Sequence, residues 1–282
     1  MLKIFIVPLL VLLCCSCSSD DTPTVEMEST TISSPSFEQA LITSGIDADG
    51  ILNGRITTDA ISNIIVLSLA GQNISDLSGI ENFSGLKKLD CSANQLSSLD
   101  LSKNTALKEL DFSNNQVTSI DVGQNTALTS LVCFNNRLSS LNLSQNTALA
   151  TLACTNNQLV ELDLSLNTVL TQVYCSENQL SNLDVTQNTD LIELFCFKNQ
   201  LSALDISSNM ALTKLYCYDN ELTALNVKNG NNTILTEFNF SENNELQCVQ
   251  VDNEIAANSG QAPYNIWIPN TSAMYSEDCS AN

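Results

Sequence analysis

The sequence contains no histidine, little basic charge and few aromatic residues. Among its 282 residues are 10 Lys and Arg against 31 Asp and Glu, which gives a formal net charge of -21 at pH 7. Without histidine the chain has no Ser-His-Asp or Cys-His catalytic pair and no imidazole ligand for a metal. With this charge it cannot neutralise phosphates, so we expect no nucleic acid partner and no attraction to an anionic membrane surface.

The first 17 residues predict a secretory leader. Met1 and Lys3 precede the apolar run 4–13. This run is too short for a transmembrane helix, which needs about 20 apolar residues, and is typical of a signal peptide.

The run Cys-Cys-Ser-Cys that follows resembles the lipobox of bacterial lipoproteins, in which one cysteine is diacylated and becomes the new N-terminus. Cys17 is the predicted lipidation site because the small Ser16 precedes it and Ser-Ser-Asp-Asp follows. Cys15 is the second candidate, and an ordinary signal peptide cleaved near Ser18 is the third. The acidic residues after Cys17 also resemble the surface-export signal of Bacteroidetes lipoproteins. This resemblance implies a lipid anchor in the outer membrane and a protein that faces the exterior.

The body of the chain repeats every 21 residues. One series at this interval is Leu89, Leu110, Leu131, Leu152, Val173, Leu194 and Leu215. Two residues later comes a second series, Cys91, Phe112, Cys133, Cys154, Cys175, Cys196 and Cys217. A third series is Asn94, Asn115, Asn136, Asn157, Asn178, Asn199 and Asn220. Such a period predicts a solenoid, in which no single repeat buries its own apolar face.

The repeat Leu-x-x-Leu-x-Cys-x-x-Asn-x-Leu resembles the leucine-rich repeat, over roughly 64–251. Its strand cysteine and its Asn-Thr-Ala turn are similar to those of flavobacterial cell-surface lipoproteins of the leucine-rich repeat family. The resemblance implies a leucine-rich-repeat solenoid of parallel β rungs of 21–22 residues with little helix, capped at both ends. It also implies adhesion or interaction, as in internalin-like surface proteins. The target does not follow from the fold.

Five segments are predicted. They are a lipoprotein signal peptide and lipobox at 1–17, a flexible tether at 18–35, an N-terminal cap at 36–63, leucine-rich repeats at 64–245 and a C-terminal cap at 246–282. The tether has too few large apolar side chains to offset the entropy of ordering.

Both caps contain features outside the repeat. A short helix is expected around Phe37. The loop from Asp49 superficially resembles a calcium loop, but Ile51 stands where a ligand is needed, so a polar turn is favoured over a calcium site. Cys248 and Cys279 lie outside the repeat register, and in a secreted protein such a pair predicts a disulfide.

The six cysteines of the repeat form one column that Phe112 interrupts. Parallel neighbours are about 4.8 Å apart, which is too far for the 3.5–4.5 Å that joins the Cβ atoms of a disulfide. Since phenylalanine occupies the same position, we expect buried reduced thiols. Occasional disulfides and a metal-thiolate array are the alternatives, and no metal or cofactor is predicted.

Aromatic residues concentrate at outward positions of three adjacent strands. The predicted ligand-binding patch consists of Tyr174, Phe195, Phe197, Tyr216 and Tyr218, with a polar rim of Lys198, Lys214, Asp219 and Glu221. A contiguous apolar surface usually marks an interaction site. The alternative is that aromatics simply suit strands and stabilise cross-strand pairs.

A column of acidic and amide residues lies on the opposite segment of each repeat. Its members are Asp100, Asp121, Asn142, Asp163, Asp184, Asp205 and Asn226. Either bound cations or local hydrogen bonds must compensate the repulsion between stacked carboxylates, and local bonds are favoured. Paired carboxylates also serve glycosidases, but a monotonous ladder without a cleft argues against catalysis.

The sequence therefore predicts a surface-anchored leucine-rich-repeat protein that is not an enzyme and that recognises a protein or glycan non-covalently. One alternative is a structural envelope lipoprotein without a specific ligand. A less favoured alternative is a carbohydrate-processing hydrolase.

Overall fold

The computed structural model of the chain describes residues 28–269 and 273–281. The predicted leader and the predicted lipidation site Cys17 lie outside the described residues. Within the described part, none of the helices has the length and apolar character that crossing a membrane requires.

The N-terminal part forms a small cap. Strand β1 (Ser29–Thr31) pairs antiparallel with β2 (Arg55–Thr57), and helices α1 (Pro35–Thr43) and α2 (Thr58–Ser62) complete it. The Ser34 side chain caps α1 by accepting a hydrogen bond from the amide of Phe37. The predicted helix is thus present. Residues 28–35 differ from the predicted tether, because β1 lies within them.

The loop that resembles a calcium site is a hydrogen-bonded polar turn, as the sequence favoured. Asp49 accepts one hydrogen bond from the Ile51 amide at 2.8 Å and another from the Asn53 side chain at 2.9 Å. Glu38 Oε1 accepts from the amides of Asn53 and Gly54 at 2.8 and 2.6 Å. These carboxylate oxygens therefore stabilise the turn itself.

One parallel sheet of nine strands follows the repeat, with one strand per coil. Its strands are β3 (Val66–Ser68), β4 (Lys88–Asp90), β5 (Glu109–Asp111), β6 (Ser130–Val132), β7 (Thr151–Ala153), β8 (Gln172–Tyr174), β9 (Glu193–Phe195), β11 (Lys214–Tyr216) and β13 (Glu237–Asn239). The central residue of each strand points inward and pairs with its equivalent, as Leu89 does with Leu110. Because the register never slips, the inward leucines stack into a continuous buried core.

The turn after each strand depends on a left-handed residue and a buried asparagine. The left-handed residues have φ between 52° and 58°, and those of the eight coils from β4 to β13 are Ala93, Asn114, Asn135, Asn156, Glu177, Lys198, Asp219 and Glu242. The asparagine follows. Asn157 is typical, because its Nδ2 donates to the carbonyls of Cys133, Cys154 and Thr155 and its Oδ1 accepts from the Leu138 amide. It therefore connects its own turn to the preceding coil.

A second asparagine column joins the coils at the Asn-Thr-Ala turn. Its members are Asn104, Asn125, Asn146, Asn167, Asn188 and Asn209, all fully buried. Each donates to two carbonyls of the preceding coil; Asn146 does so to Val122 and Asn125 at 3.0 Å. The strict spacing of 21 residues between these asparagines is the sequence signal for this column.

A second sheet forms on the opposite side of the solenoid near the C-terminus. That sheet contains β10 (Ala203–Asp205), β12 (Ala224–Asn226), β14 (Cys248–Gln250) and β15 (Met274–Ser276), all parallel. In the earlier coils the equivalent segments carry no strand within the described residues. Strand pairing on this side therefore belongs to the last coils.

The C-terminal cap covers the last coil. Helix α3 (Glu254–Asn258) precedes Trp267, whose indole donates to the Leu235 carbonyl at 2.7 Å and whose ring packs edge-on against Phe238. The predicted disulfide between Cys248 and Cys279 is confirmed. It encloses a loop of about 30 residues, which corresponds to roughly 3 to 4 kcal/mol of stabilisation in the chain-entropy model.

Replacing Asn157 with Leu is expected to destabilise the solenoid by about 2–4 kcal/mol. The change leaves three carbonyls and one amide without their partner in a buried turn. Urea unfolding followed by circular dichroism would measure the loss. The neighbouring Gln158→Ala variant is the control, since that side chain is exposed. An unchanged unfolding midpoint for Asn157→Leu would contradict the role assigned to this column.

Candidate functional site

The five predicted aromatic residues form two adjacent columns on the main sheet. Tyr174, Phe195 and Tyr216 end strands β8, β9 and β11, and they pair in register as Tyr174 with Phe195 and Phe195 with Tyr216. Phe197 and Tyr218 form the second column, two residues further along. Parallel pairing places equivalent side chains about 4.8 Å apart, which is close to the stacking distance of aromatic rings.

The rings of each column stack on one another. The centroids of Phe195 and Tyr216 are 4.5 Å apart at an interplanar angle of 22°, and those of Phe197 and Tyr218 are 4.5 Å apart at 6°. Tyr174 meets Phe195 edge-on at 5.0 Å. Each such pair contributes about 0.5–1.5 kcal/mol beyond the burial of its area. These contacts fix the positions of the rings before any partner binds.

All five rings are half-buried, whereas the sequence predicted an exposed surface. The physical reason is that each ring covers its neighbour in the column. In the stacked pairs, one face of each ring is therefore covered by its neighbour. We call these five residues the aromatic patch.

At the side of the patch, glutamates accept hydrogen bonds from two tyrosine hydroxyls. The Tyr174 hydroxyl donates to Glu193 Oε2 at 2.5 Å, and the Tyr216 hydroxyl donates to Glu237 Oε2 at 2.9 Å. Burial, followed by the bond to Glu193, holds the pKa of Tyr174 well above its usual value. The bond to Glu237, followed by burial, raises the pKa of Tyr216. The hydroxyls are therefore occupied within the protein.

Lysines bridge the carboxylates along both sides of the patch. Lys214 Nζ lies 3.5 Å from Glu193 and 3.4 Å from Glu237, and Lys198 Nζ lies 3.2 Å from Glu177. The bond to Glu177 raises the pKa of Lys198. Such exposed pairs contribute about 0–1 kcal/mol each, so their main effect is to fix the rim.

The rim is larger than the sequence predicted. Lys198 and Lys214 take part in it, and Asp219 and Glu221 are exposed at the turn that follows β11. The three glutamates that pair with the lysines were not assigned to the rim. They are Glu177, Glu193 and Glu237. Their equivalent positions in neighbouring coils were the signal that could have identified them.

The first coils present a polar surface at the same positions. Asp90 and Asp111 accept hydrogen bonds from Ser92 and Ser113, respectively, and Lys88 lies 2.7 Å from Glu109. Neighbouring aromatic rings are therefore found in the coils of β8, β9 and β11, and the coil of β6 adds the separate ring of Phe134.

The cysteine column consists of buried free thiols, as the sequence favoured. The six are Cys91, Cys133, Cys154, Cys175, Cys196 and Cys217. Burial raises the pKa of each thiol, and that of Cys175 to about 12. A neutral thiol is a poor nucleophile and a poor metal ligand, so these residues act as small apolar side chains.

Local hydrogen bonds account for the acidic column on the opposite side. In each of its seven members a side-chain oxygen accepts from the backbone amide two residues later, as in Asp100 with Ser102 at 2.9 Å. This bond lowers the pKa of Asp100, with the amide as the largest cause. Within the described residues no cluster of three or more carboxylates and thiols could hold a metal ion.

Residues 105–146 match the family model for leucine-rich repeats. The fold is a leucine-rich-repeat solenoid. The functional domain of InlJ from Listeria monocytogenes, described as including a cysteine ladder, superposes with a TM-score of 0.61 at 28% identity. That match covers 89% of this chain, and the chain spans 62% of the InlJ domain.

Two further solved leucine-rich-repeat structures support the fold alone. The internalin InlF from Listeria monocytogenes superposes with a TM-score of 0.58 at 19% identity, covering 84% of this chain and 90% of that one. A leucine-rich-repeat protein of Leptospira interrogans gives a TM-score of 0.51 at 20% identity, covering 69% and 56%. None of the curated proteins matches the sequence significantly.

The thiols of the leucine-rich-repeat solenoid are expected to resist alkylation in the folded protein. Iodoacetamide at pH 8 should leave all six repeat cysteines unmodified, since burial keeps them protonated and inaccessible. Peptide mass spectrometry measures each site separately, and unfolding in guanidinium is the positive control. Rapid labelling of any of the six in the native protein would show that the cysteine column is accessible to the reagent.

Proposed function

We propose that this leucine-rich-repeat solenoid recognises a protein partner through the aromatic patch. The observation that carries the proposal is the contiguity of five half-buried rings on three neighbouring coils, while the first coils are polar at the same positions. Preorganised aromatic side chains are enriched in the energetic centres of protein interfaces. A fixed, stacked patch loses little entropy when a partner binds.

The geometry of the rings favours a protein over a glycan. A sugar stacks on the open face of an aromatic ring, but stacking covers one face of each ring in the pairs Phe195–Tyr216 and Phe197–Tyr218. The Tyr174 and Tyr216 hydroxyls are bonded to glutamates. The accessible ring edges are hydrocarbon, and they suit apolar side chains of a protein surface.

A binding role without catalysis is part of the same proposal. The carboxylates of the acidic column each bond to their own backbone, which supports a structural role for them. The absence of histidine from the sequence removes the commonest general base. These points also speak against the carbohydrate-processing alternative. A structural envelope protein without a specific ligand is the remaining alternative, and it leaves the local aromatic patch unexplained.

We further propose that the protein is attached to the outer membrane by a lipid on Cys17 and faces the exterior. The support comes from the sequence of the leader and the acidic residues after it. Disulfide formation between Cys248 and Cys279 fits an oxidising compartment outside the cytoplasm.

Replacing Phe195, Phe197 and Tyr216 with Ser together should abolish partner capture. The change removes two of the three rings of one column and one of the two rings of the other, while the inward core residues stay in place. Arrays of surface-protein ectodomains and of glycans, probed with the labelled chain, would compare this variant with the wild type. Phe134→Ser is the matched control, because Phe134 occupies the column of Phe197 outside the patch.

Circular dichroism should show that the triple variant stays folded and unfolds cooperatively, at a lower temperature because three ring pairs of about 0.5–1.5 kcal/mol each are lost while the core is intact. Undiminished binding of an ectodomain by the triple variant would contradict the proposal that the aromatic patch binds the partner. If the triple variant loses binding only to a glycan, the proposed partner of the aromatic patch would be a glycan instead of a protein.

Cys17→Ser should abolish incorporation of an alkyne-labelled fatty acid and release the protein from the membrane fraction. Cys15→Ser is the matched control and should retain both the label and the membrane association. A Cys17→Ser protein that still carries the label would indicate acylation elsewhere.

A further inference from the structure

One coil departs from the others on the side away from the main sheet. In the coil between β7 and β8, Val160 and Leu166 are 56% and 53% exposed. At the position of Val160 the six other coils from β4 to β12 have Ser or Thr, and at that of Leu166 they have Lys, Gln, Ser or Asn. The other coils adopt the same fold with polar residues at both positions. The fold therefore does not require apolar side chains there.

The two side chains line a groove of about 670 Å³ that extends over three coils. Leu141, Leu162 and Leu164 contribute its apolar floor. The groove lies where the segments of neighbouring coils are not joined by strand pairing, since the second sheet begins only at β10. Its volume is within the range of protein sites for small molecules or short peptide segments.

The polar part of the groove carries negative charge. Glu161, Asp163 and Asp184 line it, and its lining residues include neither Lys nor Arg. Asp163 and Asp184 each accept a hydrogen bond from a backbone amide at 2.9 Å, which fixes their carboxylates. An occupant must therefore combine aliphatic side chains with positive charge.

We propose that this groove docks an extended segment of another protein in which aliphatic residues alternate with Lys or Arg. A second copy of this chain is disfavoured by its net charge of -21. Anionic lipid headgroups are repelled by the same carboxylates. Sugars are disfavoured because the exposed side chains are aliphatic and offer no aromatic face. The groove is separate from the aromatic patch, so this proposal does not depend on the function assigned to that patch.

The test uses the full chain and three synthetic decapeptides, which alternate Lys with Leu, Lys with Ser, and Glu with Leu. Calorimetric titration should show binding of the Lys-Leu peptide only. The variant Val160→Ser with Leu166→Gln should weaken that binding by about tenfold or more, because two apolar contacts are lost. The patch variant with Ser at Phe195, Phe197 and Tyr216 should bind the peptide like the wild type.

Both substitutions in the groove introduce residues that other coils already have, so the unfolding midpoint should be unchanged. Equal affinity of the groove variant for the Lys-Leu peptide would overturn the proposal. Equal affinity of the Lys-Ser peptide would also overturn it, since charge alone would then explain binding. Displacement of the peptide by maltohexaose, or self-association of the chain that the groove variant abolishes, would assign the groove to a glycan or to a second copy.

Discussion

Hydrogen bonding between parallel strands at a fixed interval is the constraint on which the rest of this structure depends. Each coil must return to the same register, after 21 residues in most coils and after 22 or 23 in the first and last, or the inward residues would lose their partners in the next coil. The turns make this return reproducible. A left-handed residue reverses the chain, and the asparagine after it bonds to both its own turn and the preceding coil.

The same interval determines how side chains are arranged on the surface. A residue type repeated at one position necessarily forms a column with a spacing of about 4.8 Å. Phenylalanine and tyrosine stack at this spacing, as Phe197 and Tyr218 do at 4.5 Å. Lys214 placed between Glu193 and Glu237 joins carboxylates that would otherwise repel each other. The aromatic patch and its rim therefore arise from the stacking geometry that also aligns the buried cysteines.

The functional proposals rest on surface positions whose residues differ from those at the same positions of other repeats. The aromatic patch lies on the main sheet, whereas Val160 and Leu166 lie on the segment opposite, beside carboxylates. The two surfaces differ in chemistry, since one offers stacked aromatic edges and the other an aliphatic groove with negative charge. A leucine-rich-repeat solenoid can thus carry the two proposed recognition surfaces on one rigid element without changing its core.

The sequence by itself determined the solenoid, the inward leucines and cysteines and the outward aromatics, because strict periodicity fixes which residues share a column. It also indicated the pairing of Cys248 with Cys279, because these two cysteines lie outside that periodicity. Only the tertiary structure decided that the rings are half-buried, that Glu193 and Glu237 bind the tyrosine hydroxyls, and that the second sheet begins at β10. These features depend on side-chain rotamers and on the separation of coils away from the main sheet. Periodicity specifies the order of residues along a column, but it does not specify distances between columns or between loosely paired segments.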